Sequence, residues 1–323
     1  MQRRTFLASS IAAMIQSTAF SQGATWPSRP VRMLVGYPPG GSTDVAGRLL
    51  AEQLGRRLGQ QVLVENRAGA GGTVATSSVV RAEPDGYTLM LAASPEVSIA
   101  PITMKSMPYD PVQDLQPITL VGQVPFLLVV NPAVPANTLA EFISLAKSQM
   151  GKLNYSSFGN NTSNHLAGEL FKSLTGTAGT HIPYKGSGPS ITDLIGGQVQ
   201  YTFDAPPAVW EQVKAGRLRA LAVSGRQRLA IAPQVPTFAE AGLPQFSGGT
   251  WFGLFAPAKT PRSVIERINA EAVSALNSPE LIKAFGDKGI VASPQTPEEF
   301  GRFVQIEVNK WKDLAAKVSI VAE

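Results

Sequence analysis

Short apolar runs that stop at glycine-rich or polar corners, each followed by a helical stripe, constrain this chain more than any other feature. Residues 31–35 are strand-like and end at Gly36-Tyr37-Pro38-Pro39-Gly40-Gly41. A helix is expected over 43–58, where Val45, Leu49, Leu54 and Leu58 keep a helical stripe. Residues 61–65 repeat the strand, Ala68-Gly69-Ala70-Gly71-Gly72 the corner, and 73–81 the helix. A third strand is expected at 87–91. The rhythm returns with a strand at 126–130, a helix at 139–149 capped by Asn137 or Thr138, and a strand at 153–157. A helix from near Ser163, a strand at 180–184, a helix at 190–196 and strands at 199–203 and 218–223 follow. The chain closes with a strand at 251–255 and helices at 262–276, 279–288 and 297–317. This succession predicts an α/β fold, with mostly parallel sheets covered by helices on both faces.

Two series of units with C-terminal helices left over predict two lobes. The expected crossings lie near 117–124 and 246–253. Residues 22–122 with 250–323 then form one lobe, and 123–249 the other. Open α/β sheets bind ligands beyond the carboxyl ends of their strands. Two facing lobes make a central cleft that closes by hinge motion.

Ahead of the first unit lies a different kind of segment. Arg3-Arg4-Thr5-Phe6-Leu7 is basic, an apolar stretch runs to about Ile15, and Ala19-Phe20-Ser21 supplies small residues. That order predicts an export signal cleaved near Ser21, of the twin-arginine kind, and hence a periplasmic protein. The apolar stretch is shorter than the roughly 20 residues a membrane helix needs. The chain has no cysteine, which excludes disulfides, thiol catalysis and cysteine metal sites. Its formal charge of +5 includes Arg3 and Arg4, and the basic residues are scattered. A nucleic-acid partner needs a concentrated basic face with stacking aromatics, so none is expected.

Three corners carry the candidate chemistry. In Tyr37-Pro38-Pro39-Gly40-Gly41-Ser42-Thr43-Asp44, Gly40 and Gly41 let a ligand approach the backbone at a helix start. Ser42 stands at that start. Asp44 either complements the helix dipole or accepts from a ligand or its waters. Ala70, Gly71 and Gly72 form a similar corner. It is not a dinucleotide fingerprint, because Val74 stands where a further glycine is needed. In the second lobe Ser157, Asn160, Thr162, Asn164 and His165 crowd one corner with hydroxyls and amides, more than one helix cap requires. Ser94 and Asp204, at strand ends, line the cleft floor. Tyr37 and Phe158 stack on a ring or simply pack. Lys185 offers a cation or is a solvated charge.

Catalysis has little support. The two histidines, His165 and His181, sit in no His-Glu-x-x-His motif, and Gly186-Ser187-Gly188 is no nucleophile elbow. No catalytic residue, metal or cofactor is expected.

The corners belong to a wider set of landmarks. Glu65-Asn66-Arg67 precedes the second corner, and Pro84-Asp85-Gly86-Tyr87, Pro183-Tyr184-Lys185-Gly186 and Gly196-Gly197-Gln198-Val199 follow. Pro236-Thr237-Phe238-Ala239-Glu240-Ala241-Gly242 and Trp251-Phe252-Gly253-Leu254-Phe255-Ala256-Pro257 complete the set. With these the whole chain after residue 21 resembles the substrate-binding proteins of tripartite tricarboxylate transporters, the Bug family of solute receptors. The resemblance implies a type II, Venus-flytrap periplasmic binding protein, with two lobes and a central ligand cleft. It implies a small carboxylate ligand (a di- or tricarboxylate, an acidic amino acid or an aromatic acid) held by amides, hydroxyls and waters. It also implies transient membrane transporter subunits as partners of a monomer. The family often has glycine where this chain has Asn161, a residue that tolerates the left-handed conformation. A sensing partner of a membrane signalling receptor and a secreted α/β hydrolase are the alternatives.

Overall fold

The computed structural model describes residues 26–184 and 186–316. The export-signal reading of residues 1–21, the cation reading of Lys185 and the end of the helix expected to reach 317 lie outside the described residues. The chain forms two sheets. One holds β1 (Val31–Val35), β2 (Val62–Asn66), β3 (Thr88–Ala93), β4 (Leu115–Pro125), β10 (Gly249–Pro257) and β11 (Val291–Ala292), in the order β11-β4-β10-β3-β1-β2. The other holds β5 (Leu127–Val130), β6 (Tyr155–Ser157), β7 (His181–Pro183), β8 (Tyr201–Asp204) and β9 (Arg219–Val223), in the order β7-β6-β8-β5-β9.

Helices cover both faces of each sheet, as the alternation predicts. On the first sheet α1 (Ser42–Leu58), α8 (Arg262–Leu276) and α9 (Pro279–Gly286) bury Leu50, Leu54, Ile268 and Phe285 against Met33 and Leu91. On its other face α2 (Thr73–Val80) and α10 (Pro297–Ala315) bury Val79, Phe300 and Val304 against Met90 and Phe255. On the second sheet α4 (Leu139–Ser148) and α5 (Ser163–Thr175) bury Phe142 and Phe171 against Tyr201 and Phe203. α6 (Ser187–Ile195) and α7 (Pro206–Lys214) bury Leu194 and Val209 on the opposite face. A short α3 (Ala100–Thr103) follows a π-helical turn at Pro95–Ile99. The sheets touch where Leu166 and Leu170 of α5 pack with Trp311 and Leu314 of α10.

Two expectations change. The stripe of α1 turns by one residue: Ala46, Leu50, Leu54 and Leu58 are buried, while Val45 and Leu49 are half-buried. Each such leucine contributes about 1.5–3 kcal/mol of burial, so the lobe core selects the fuller stripe. The sheets are also mixed rather than mostly parallel. β10 runs antiparallel to β3 and β4, and β5 antiparallel to β8 and β9. The expected crossing near 117–124 is itself an eleven-residue strand, β4, paired with β10 from Pro125↔Gly249 to Leu115↔Pro257. It passes through Phe126 directly into β5, so one extended segment serves both sheets.

Gly168 shows how tightly α5 sits on the second sheet. A Cβ there would meet the Tyr155 ring at 2.2 Å. Alanine gains about 1 kcal/mol over glycine in a helix interior, whereas overpacking costs about 1–3 kcal/mol. The ring has little room to yield, because its hydroxyl donates to Glu169 at 2.6 Å and its face packs on His181. Gly168→Ala is therefore expected to destabilise the protein by about 1–2 kcal/mol in urea denaturation.

Candidate functional site

α1, α2, α5 and α6 begin where parallel strands end, and none has a side-chain cap on its first turn. α4, α9 and α10 begin elsewhere and are capped by Thr138, Ser278 and Thr296. α8 is entered through Pro261 without a side-chain cap, and α7 opens on Pro206-Pro207, which carry no amide hydrogen to cap. Uncapped starts leave backbone N–H groups and the positive dipole end facing outward at one edge of each sheet. That edge suits an anion.

In the first lobe the two glycine corners pack backbone to backbone. A Cβ on Gly36 would lie 2.6 Å from the Gly72 Cα. Gly40, Gly71 and Gly72 have φ of 84, 63 and 98, and Ala70 joins them at 45. A left-handed alanine costs about 1–2 kcal/mol, and strain of this kind gathers where a backbone is shaped for use. Gly40, Gly41, Ser42, Ala70 and Gly71 are exposed, and Gly72 is buried.

Asp44 does not face outward. It accepts from the Gly40 amide (2.8 Å), Asn66 Nδ2 (2.9 Å) and Arg48 Nε (3.0 Å). Burial pushes its carboxyl up, but these donors outweigh burial and hold it below the usual value. It ties both corners together. Tyr37 Oη lies 2.6 Å from Glu96 Oε2 and 3.1 Å from the Gly71 carbonyl. Glu96 is fully buried, and its Oε1 accepts from the Ala93 amide at 2.7 Å. Burial pushes its carboxyl up to about 8. One phenolic proton serves only one of the two oxygens near it, and a protonated Glu96 supplies the second. Sequence reasoning passed over Glu96. Its signal is a lone acid straight after an apolar strand, between Pro95 and Val97. Ser94 Oγ lies 3.0 Å from Thr250 Oγ1 and joins β3 to β10 where β10 begins.

In the second lobe the corner after β6 is built by its own side chains. Thr162 Oγ1 lies 2.7 Å from both the Gly159 carbonyl and Asn164 Oδ1, and its single proton serves one of them at a time. Asn161 takes φ 59, the left-handed conformation expected of it. Its amide donates to His165 Nδ1 at 3.0 Å. Asn160 is exposed and Asn164 wholly buried. Ser157 Oγ stands 2.5 Å from His181 Nε2, the distance of a nucleophile from its base. Ser157 is fully buried, however, and its hydroxyl also contacts the Gly159 carbonyl (2.9 Å) and amide (3.1 Å). The two imidazoles are stacked at 3.9 Å, and burial followed by His165 pushes His181 down to about 4. Burial likewise lowers His165. This group braces the corner from beneath. Asp204 is buried at the end of β8, where its Oδ1 accepts from the Ala205 amide (2.6 Å) and Ser187 Oγ (3.3 Å). Phe158 stacks edge-on against Phe126. Among the described residues no group of three His, Cys, Asp or Glu could hold a metal ion, and no helix is long and apolar enough to cross a membrane.

Two measurements follow from this geometry. Gly36→Ala forces backbone against backbone at Gly72, and is expected to destabilise the protein by about 1–3 kcal/mol in urea denaturation. Glu96 carries a folded pKa raised from 4.5 to about 8, so its contribution is present below pH 4.5 and lost as pH rises through 8. Glu96→Gln removes that loss. The stability of the variant relative to the parent should rise by more than about 1 kcal/mol between pH 5 and pH 8.5 in matched urea titrations.

The family described as the tripartite tricarboxylate transporter family receptor matches residues 46–320. Protein BugT of Bordetella pertussis is 40% identical over 288 residues, 89% of this chain and 88% of that protein. An R. palustris protein solved with adipate is 33% identical, with a TM-score of 0.79, over 92% of this chain and 100% of the other. MatC from Rhodopseudomonas palustris, solved with bound malate, is 32% identical, with a TM-score of 0.74, over 89% of this chain and 99% of the other. With two sheets, helices on both faces and this coverage, the chain belongs to the Bug receptors of the tripartite tricarboxylate transporter family.

Proposed function

We propose that this protein is a periplasmic receptor that captures a small carboxylate for a tripartite tricarboxylate-type transporter, and that it is not an enzyme. The observation that carries the reading is the set of four helix starts left uncapped at the carboxyl ends of parallel strands, whereas side-chain caps are found on α4, α9 and α10, which begin elsewhere. The relatives solved with adipate and malate support a carboxylate in particular. A di- or tricarboxylate, an acidic amino acid or an aromatic acid all present the same anionic end.

In this reading residues 22–122 with 250–323 form one lobe, and 123–249 the other. The amides of Gly41 and Ser42 and the turn at Ala70-Gly71-Gly72 hold one end of the acid. Asn160, Thr162 and Asn164 approach from the facing corner. β4 and β10 join the lobes as a two-stranded hinge, and closure presents a surface to membrane transporter subunits. The receptor works as a monomer. Release of an unchanged ligand fits the complete burial of Ser157, the candidate nucleophile beside His181.

Thermal melting against a panel of aliphatic and aromatic carboxylates tests this. A true ligand at a hundred times its Kd stabilises by about 2.7 kcal/mol, which raises the melting temperature by about 5–10 °C. The absence of a shift with every acid in the panel would sink the reading.

A further inference from the structure

The second lobe holds two buried polar atoms without a hydrogen-bond partner, Asn164 Nδ2 and Asp204 Oδ2. Both residues have 0% exposure. Their orientations are set by what they already bond. Asn164 Oδ1 accepts from the Phe158 amide (3.2 Å) and Thr162 Oγ1 (2.7 Å), which turns its NH2 away from them. Asp204 Oδ1 accepts from the Ala205 amide and Ser187 Oγ, which leaves Oδ2 alone. Each such atom costs about 1–3 kcal/mol when buried unpaired. The neighbouring strands β6 and β8 align Ser156 with Thr202. Phe158 and Asp204 each lie two residues further on, at the carboxyl ends of those strands. The other unpartnered side-chain atoms among the described residues belong to Trp26, Arg57, Gln212, Gln295 and Trp311, outside these corners.

We infer that this pair reads the ligand's substituent: Asn164 donates to a carboxylate oxygen, and Asp204 accepts from a hydroxyl or ammonium on the adjacent carbon. The class selected is the 2-hydroxy or 2-amino acid rather than the plain acid. The inference rests on the carboxylate-receptor reading and narrows it. A donor at Asp204 completes a carboxylate that burial has pushed up to about 7. An acid without a donor leaves that oxygen buried and unpaired, and polar sites of this design discriminate strongly against such analogues.

Matched acids that differ only at the 2-position provide the test: succinate against malate and aspartate, adipate against 2-aminoadipate, phenylacetate against mandelate. Isothermal titration calorimetry is expected to give the donor-bearing acid at least a tenfold lower Kd in any pair that binds. Asp204→Asn keeps the shape and the Oδ1 bonds but puts a donor at Oδ2, so the preference should fall to within about threefold while the plain acid retains its affinity. Asn164→Asp should weaken both members of the pair by similar factors. Equal binding of paired acids to the parent protein overturns the inference and leaves the receptor reading intact. A preference that survives in Asp204→Asn overturns it in the same way. Failure of every acid in every pair to bind overturns both. The parent's own ratio decides the matter even if a variant does not fold.

Discussion

Backbone amides at helix starts need partners, and this structure divides them into two groups. Away from the parallel-strand ends, Thr138, Ser278 and Thr296 cap their helices, the last in a reciprocal capping box with Glu299, and α8 starts there uncapped, on Pro261. At those ends the helices start on Gly41, Gly72, Thr162 and Gly186 with no side chain accepting from the first turn. Thr162 has the chemistry of a cap, yet its hydroxyl goes to the Gly159 carbonyl and Asn164 instead. A cap contributes about 1 kcal/mol, so leaving several helices uncapped at one edge is a considerable loss of stability. In the receptor proposed above, an anion between the corners restores it. Binding and the completion of secondary structure are then the same event.

That arrangement demands stiffness behind it, and both lobes supply stiffness from polar side chains. Asp44 draws Gly40, Asn66 and Arg48 together, so the glycine corners keep their shape although glycine itself is permissive. The Tyr155, His165, His181 and Glu169 group does the same under the second corner, with Lys172 donating to Glu169 at 2.7 Å. Within the first sheet β4 and β10 form a long antiparallel pair, and β4 runs on into β5 of the second sheet.

The α/β class and the corners were legible because they depend on local rules: apolar period, glycine at left-handed positions, polar clusters at strand ends. Asn161 is an instance, since its φ of 59 follows from residue type alone. The strand β4 was not legible. Residues 117–124 were expected as a crossing between lobes, but Pro117 sits at a register shift and Pro125 at the strand end, positions where a strand tolerates proline. The antiparallel strands arise from which sheet a segment joins, a long-range choice that periodicity does not record. The same limit applies at the site. Asp44 was open between dipole complement and ligand contact, and Ser157 was expected at the ligand, whereas each has a partner brought from elsewhere in the fold: Asn66 in one case, His181 in the other.

The two deeply buried carboxyls show why partner counts matter more than burial. Glu96 and Asp204 both have 0% exposure, and burial raises both. Glu96 has a partner for each oxygen, the Ala93 amide and Tyr37, and once protonated it leaves no polar atom unpaired. It is a finished structural element that holds the first corner against β3. Asp204 has both of its partners on one oxygen. Protonation does not finish it, because the added hydrogen at Oδ2 then needs an acceptor of its own. A buried acid that neither protonation state satisfies is completed only by a group from outside the fold, the part that the inferred ligand donor takes at the end of β8.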